Sequence, residues 1–203
     1  MKNYKIESDF TEYKKLFLEE NLKLNLISKN DEKFLYEKHI YDSLSIKLFF
    51  DKYSFADKPT NLLDIGCGGG FPCVPVAIEY PDIKVTGIDS IKKKINSINT
   101  MKNKLKLNNL TVICDRVENI KNKKFDVITS RAVADLAKIS GYALPLLKNN
   151  GYFVAYKSKK AIFEIEAAKD ILERYNAKVV DIIEYALPLQ ELYERNLVVI
   201  SFK

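Results

Sequence analysis

From residue 60 onward the chain alternates between two hydrophobic rhythms. Short, nearly continuous apolar runs at 61–65, 84–88, 111–114, 126–130, 152–156, 179–183 and 197–202 predict seven strands buried on both faces. Longer stretches at 71–79, 91–107, 134–147 and 161–175 place apolar residues at the 3.6-residue period of a helix with one buried face. Pro72 and Pro75 are tolerated in the first turn of the first of these, and Pro81 ends it. Strands and helices in alternation predict a mostly parallel sheet with helices on both sides, because parallel neighbours need a crossover. Only the loop 188–196 separates the sixth and seventh strands, so an antiparallel last strand is expected.

The first 55 residues follow one rhythm only. Leu16, Phe17, Asn21 and Leu24, then Phe34, Leu35, Ile40, Leu44 and Leu48, recur at helical spacing. The turn-like Ser28-Lys29-Asn30-Asp31 interrupts them, with Asp31 placed to cap a second helix. Residues 1–55 are therefore expected to form a helical cap on a main domain of 56–203. Neither internal repeats nor a Pro-, Gly- or Ser-rich linker divides the chain further.

Composition narrows the setting. The 203 residues, 47% apolar and 30% charged, suit one domain with a substantial core. No run approaches the roughly 18 apolar residues of a membrane span, and Met1-Lys2-Asn3-Tyr4-Lys5 leads into an amphipathic stretch rather than a signal peptide. A cytoplasmic protein without a membrane partner is expected. Cys67, Cys73 and Cys114 are an odd, scattered set, which predicts reduced structural thiols and no metal site. The net charge of +6, with lysine runs at Lys92–Lys94, Lys102/Lys104/Lys106, Lys121/Lys123/Lys124 and Lys157/Lys159/Lys160, suits a polyanionic partner as well as solvated helix faces.

The candidate chemistry begins at the glycines. Four of seven fall in Asp64-Ile65-Gly66-Cys67-Gly68-Gly69-Gly70-Phe71-Pro72, between the first strand and the first helix. Their spacing, G-x-G-x-G on Gly66, Gly68 and Gly70, leaves Phe71 where a dinucleotide fingerprint needs its third glycine, which disfavours a pyrophosphate cradle. Asp89 ends the second strand about 20 residues on, where a carboxylate accepts ribose hydroxyls. Asp64-Ile65-Gly66-x-Gly68-x-Gly70 followed by Gly87-Ile88-Asp89-Ser90 resembles the S-adenosylmethionine (SAM) site of the Rossmann-like class I methyltransferases. That resemblance implies SAM as cofactor and an α/β fold with a seven-stranded sheet.

The fourth strand ends Phe125-Asp126-Val127-Ile128-Thr129-Ser130-Arg131-Ala132. It lacks the Asn/Asp-Pro-Pro-aromatic of amino-group nucleic-acid methyltransferases. The only Pro-Cys, Pro72-Cys73, opens the first helix rather than standing at this strand end, which disfavours a covalent route. Acceptors needing neither deprotonation nor covalent activation remain, and purine N7 is one. Methylation of another RNA position or a small molecule, a SAM-binding inactive RNA-binding factor and a nicotinamide oxidoreductase are the alternatives.

Further stretches narrow the choice: Asn25-Leu26-Ile27-Ser28, Lys38-His39-Ile40-Tyr41-Asp42-Ser43, Arg116-Val117-Glu118, Thr129-Ser130-Arg131-Ala132, Ala155-Tyr156-Lys157-Ser158 and Glu194-Arg195-Asn196-Leu197. With the glycine loop they resemble, in order and over nearly the whole chain, the bacterial small-subunit ribosomal RNA guanine-N7 methyltransferase G family, also called glucose-inhibited division protein B. Cys73, Lys38 and Ser158 stand where that family usually has glycine, arginine and glycine. The resemblance implies 7-methylguanine as product, small-subunit ribosomal RNA or a ribosomal particle as partner, and a monomer. It places cofactor contacts at Gly66, Phe71, Val117, Glu118 and Arg131, beside Asp64, Gly68, Gly70 and Asp89 from the loop reading. His39, Arg131 and Lys157 are the candidate substrate-positioning residues, with no general base. Asn25, His39, Arg116, Lys157 and Arg195 are the candidate RNA contacts. His39 is the only histidine, with Asp42 three residues on and placed to hold it.

Overall fold

The computed structural model describes residues 4–55, 58 and 60–203, and in it all seven apolar runs are strands of one sheet. They are β1 (Asn61–Ile65), β2 (Lys84–Asp89), β3 (Leu110–Cys114), β4 (Phe125–Arg131), β5 (Leu147–Ser158), β6 (Ala177–Leu187) and β7 (Tyr193–Phe202). The order is β3-β2-β1-β4-β5-β7-β6; the first five run parallel and β7 pairs antiparallel with both neighbours. Successive residues of each central strand enter opposite cores. Leu62, Val127, Val154 and Val199 face one side while Leu63, Ile128, Phe153 and Val198 face the other, so the sequence reads as unbroken apolar runs.

The first core is covered by α1 (Thr11–Leu24), a π-helical segment Leu35–Tyr41, α3 (Asp42–Leu44), α4 (Ile46–Tyr53), α5 (Cys73–Glu79) and α6 (Lys92–Leu105), while the short α2 (Lys29–Glu32) buries none of its residues. The second is covered by α7 (Leu136–Ala143), α8 (Ala161–Ala167) and α9 (Lys169–Arg174). Phe10, Tyr13, Phe17, Leu35, Ile40, Phe49 and Phe50 of the N-terminal segment are buried in the same cluster as Leu62, Val85 and Val127 of the sheet. The expected division at 55/56 adjoins Ala56 and Asp57, which, like Met1–Asn3, lie outside the described residues. Among the described residues no helix is long and apolar enough to cross a membrane.

Several expected boundaries change. The helix predicted over 134–147 stops at Ala143, where a 3₁₀ turn over Leu144–Leu146 takes up Pro145 and Leu147 goes to β5, pairing with Phe125. The stretch 161–175 breaks at Ala168, whose N–H is shared between the Glu164 and Ile165 carbonyls at 3.1 Å. Polar Lys178, Asp181 and Glu184 hide the length of β6, which runs from 177 to 187 as an edge strand, and β7 starts at Tyr193, shortening the predicted 188–196 loop. Ser28, not Asp31, caps α2, its hydroxyl accepting the Asp31 N–H at 3.2 Å. The Asp31 carboxylate turns instead to the Ser28 hydroxyl and Lys38.

Candidate functional site

The glycine loop leaves the carboxyl end of β1 and crosses to β2, with Gly66 and Cys67 donating to the Ile88 carbonyl at 2.8 and 3.1 Å. Gly66 sits at φ +70, and a Cβ there would lie 2.4 Å from Val133 Cγ2; at Gly70, φ +102, a Cβ would meet Val74 Cγ2 at 2.8 Å. Both positions exclude a side chain through backbone conformation and space together. Asp89 pins the loop: its Oδ2 accepts from the Gly68 N–H at 2.9 Å and its Oδ1 from the Ile91 N–H at 2.8 Å.

Asp64 points inward. It is fully buried beneath the loop and accepts from the Thr129 hydroxyl at 3.0 Å and the Cys73 N–H at 3.2 Å. Burial pushes its carboxyl up to about 7, against those two hydrogen bonds. Its side chain braces β1, β4 and the start of α5.

Beside the loop lies a cleft of about 240 Å³ at the carboxyl ends of β1, β2 and β3. Ile65, Gly66 and Ile88 form its floor, Val117, Val133 and Tyr142 give it apolar walls, and Asp89, Asp115, Glu118 and Arg116 give it polar edges. Apolar walls with carboxylates at the rim suit a nucleoside, whose base needs a surface and whose ribose needs acceptors. Of the expected cofactor residues, Gly66, Asp89, Val117 and Glu118 line this cleft. Gly68, Gly70 and Phe71 shape the loop behind it. A larger hollow, about 680 Å³, lies over Thr86 and Thr111 with Lys121, Lys123 and Lys124 on its rim, away from the glycine loop.

The end of β4 is occupied by Arg131. Its NH1 donates to Asp42 Oδ2 at 2.7 Å and to the Lys38 carbonyl at 3.1 Å, its NH2 donates to His39 Nδ1 at 2.8 Å, and its guanidinium lies 5.3 Å from the centre of the Phe71 ring. Three of these partners come from the π-helical segment and the residue that follows it, where the wide turn leaves the Lys38 carbonyl facing Arg131. Arg131 has no lone pair to offer, so His39 Nδ1 accepts and the ring is neutral with its proton on Nε2, which is buried without a partner. Burial, reinforced by Arg131, lowers the imidazole to about 4. Asp42 was expected to hold His39; it holds the arginines instead. Tyr185 donates to its Oδ1 at 2.6 Å, and Arg195 reaches Oδ1 and Oδ2 at 3.3 and 3.4 Å. Burial raises its carboxyl, yet Arg131 and Arg195 together keep it below the usual carboxylate range.

The expected RNA contacts divide. Arg195 turns inward to Asp42, and Lys157 is buried, donating to the Ala134 carbonyl at 2.9 Å and to Glu164 at 2.6 Å. Neither ammonium nor guanidinium faces outward as a free phosphate ligand. Arg116 is exposed at the cleft rim, without a carboxylate partner among the described residues. Asn25 is exposed and ends α1 at φ 49, a left-handed position that asparagine tolerates. Sequence reasoning missed Tyr185, Glu164 and Val133. Tyr185 and Glu164 lie more than 100 residues from the N-terminal segment or on a helix with no motif, and Val133 was an ordinary apolar residue after the Ser-Arg-Ala stretch.

Comparison with known proteins places this geometry. A family model described as rRNA small subunit methyltransferase G matches residues 6–195. A ribosomal RNA small subunit methyltransferase G from Oceanobacillus iheyensis is 38% identical over 191 residues, covering 92% of this chain and 78% of that protein. One from Staphylococcus aureus is 37% identical over 201 residues, covering 97% and 82%. Among solved structures, an S-adenosylmethionine-dependent methyltransferase from Clostridium acetobutylicum aligns with a TM-score of 0.62 at 15% identity, covering 85% of this chain and 98% of that one. M. jannaschii TYW2 in complex with AdoMet aligns with a TM-score of 0.59 at 18% identity, covering 76% of each. These two share the fold.

Proposed function

The chain belongs to the rRNA small subunit methyltransferase G family, and from that premise we propose that it transfers a methyl group from SAM to guanine N7 of small-subunit ribosomal RNA. The observation that supports this acceptor best is the end of β4. It presents a guanidinium locked by Asp42, His39 and the Lys38 carbonyl, and the one carboxylate there among the described residues, Asp42, is buried and taken up by Arg131, Arg195 and Tyr185. Cys67 and Cys73 are buried behind the loop, and burial pushes the Cys73 thiol up, away from nucleophilic thiolate. Guanine N7 needs neither a general base nor a nucleophile, since its lone pair lies in the ring plane and carries no proton.

The cleft residues fit the cofactor. Gly66 would let the backbone approach the cofactor closely, Asp89 would receive the ribose hydroxyls, and Val117 with Glu118 would bracket the adenine. When bound, SAM supplies an electrophilic methyl on a sulfonium. Arg131 then works by position, orienting a carboxylate of the cofactor or a phosphate of the RNA from a guanidinium that cannot swing away. Val133, beside Gly66, gives the cleft an apolar wall. Alignment of this kind supplies up to about 7–11 kcal/mol of barrier lowering, which suits a direct displacement without acid–base help. Arg116 is the cleft residue most open to RNA.

The test is transfer of labelled methyl from SAM to small-subunit ribosomal RNA and to whole small subunits, followed by digestion to nucleosides. Label in 7-methylguanosine is expected. Label in another nucleoside, or none with either substrate, contradicts the reading.

A further inference from the structure

The carboxyl end of β5 and the start of β7 lie side by side, Ser158 opposite Arg195 and Lys157 opposite Asn196, one strand away from Arg131, which pairs with Tyr156. At this edge the chain exposes large apolar side chains that its cores do not use. Phe163 is 77% exposed, Leu192 66%, Ile162 63% and Tyr193 48%. Between the strand ends runs a groove of about 260 Å³, lined by Ser158, Lys159, Lys160, Leu192, Tyr193 and Glu194. Lys159 and Lys160 have no ion-pair partner among the described residues.

Phe163 is fixed relative to the acceptor edge. Its N–H donates to the Lys160 carbonyl at 3.1 Å, placing it one turn beyond the groove. The next residue, Glu164, accepts from the Leu136 N–H at 2.9 Å and from Lys157 at 2.6 Å, which ties α8 to the segment following Arg131. Phe163 is thus fastened to the same edge as the Arg131 clamp, where Tyr193 opens β7.

Exposed aromatic faces interleaved with unpaired lysines are the surface on which single-stranded nucleic acid is held: bases stack on the rings, and ammonium groups meet the backbone. Glu194 in the groove disfavours a phosphate on its floor, so a base face rather than a backbone belongs there, with Lys159 and Lys160 taking the phosphates at the rim. Resting on the reading that RNA is the acceptor, we infer that Phe163 and Tyr193, with Lys159 and Lys160, form a platform on which unpaired nucleobases flanking the methylated guanine stack. It holds the target strand open at the edge where the methyl group is delivered and sets which sequence context is accepted.

The experiment compares the wild type with Phe163→Ser/Tyr193→Ser and with Lys159→Gln/Lys160→Gln, on small-subunit ribosomal RNA and small subunits. These side chains are exposed, so unchanged thermal unfolding and unchanged SAM affinity by calorimetry are expected. The aromatic pair should raise KM for RNA about tenfold or more per lost stack, with kcat near wild type. The lysine pair should reduce the salt dependence of RNA binding. A photoreactive benzoyl-phenylalanine at 163 should crosslink to ribosomal RNA within a few nucleotides of the methylated guanine. An unchanged KM in the aromatic variant, or a crosslink to a ribosomal protein in place of RNA, overturns the platform. If the wild type itself transfers no methyl to RNA, the functional reading has failed and the platform falls with it.

Discussion

A methyl group added at Gly66 would sit 2.4 Å from Val133 Cγ2 on a backbone at φ +70. Gly66→Ala should therefore weaken SAM binding at least tenfold by calorimetry. Adding Val133→Ala should recover part of that loss, because it removes the clash and leaves only the roughly 1–2 kcal/mol of left-handed strain. Asp42 is the second sensitive residue. Asp42→Asn keeps a partner for Tyr185 but leaves Arg131 and Arg195 without their counter-charge, and breaking a buried pair costs about 3–5 kcal/mol, readable as a lower urea midpoint. His39 makes stability depend on pH. Its folded pKa of about 4 lies below the ordinary 6.5, so the unfolded chain binds the proton first and the His39 contribution is lost as pH drops from about 6.5 to 4, while Asp64, raised to about 7, acts with the opposite sign over the same range. The contribution is on the order of 3 kcal/mol, and it is read as the difference between the wild type and His39→Gln, which should grow in favour of the variant as pH falls through that window; a constant difference would contradict it.

At the scale of elements, α8 is fastened to the segment after β4 by one carboxylate, Glu164, which holds the Leu136 N–H and Lys157 together. Glu164→Ala should free that segment, with faster amide hydrogen exchange over 132–136 and little change in β1 or β2. Unchanged exchange there would mean that packing of Leu136 in the core, not the carboxylate, sets the position of this segment. The strands around it were legible from sequence because both faces are buried and each run is continuously apolar. The glycine loop and Asp89 were legible because so few residue types suit their positions. The π-helical segment was not: the five-residue step from Leu35 to Ile40 departs from the α-helical period but is a single step, and the Arg131 that bonds to Lys38, His39 and Asp42 lies 89 to 93 residues away in sequence. Lys157 and Arg195 read as surface cations for the same reason: their partners, Glu164 and Asp42, are brought to them by the sheet and not by sequence spacing.

For the whole molecule, residues 4–55 supply one wall of the first core and all of the Arg131 clamp except Phe71. We expect a chain beginning at residue 56 to lose cooperative unfolding, because Leu62, Val85 and Val127 would face water and Arg131 would lose Asp42. Sharp two-state unfolding of that fragment would make the extension a separable domain. The whole account converges on one product, 7-methylguanosine in small-subunit ribosomal RNA. Methylation at N7 leaves a cationic purine whose ring opens to borohydride reduction and whose strand then breaks with aniline. The most direct measurement maps these breaks in ribosomal RNA from cells with and without the gene. One cleavage site should vanish with the gene, return with the wild-type copy and stay absent with Gly66→Ala. An identical cleavage pattern in both cells, or loss of a different methylated base, would contradict the account.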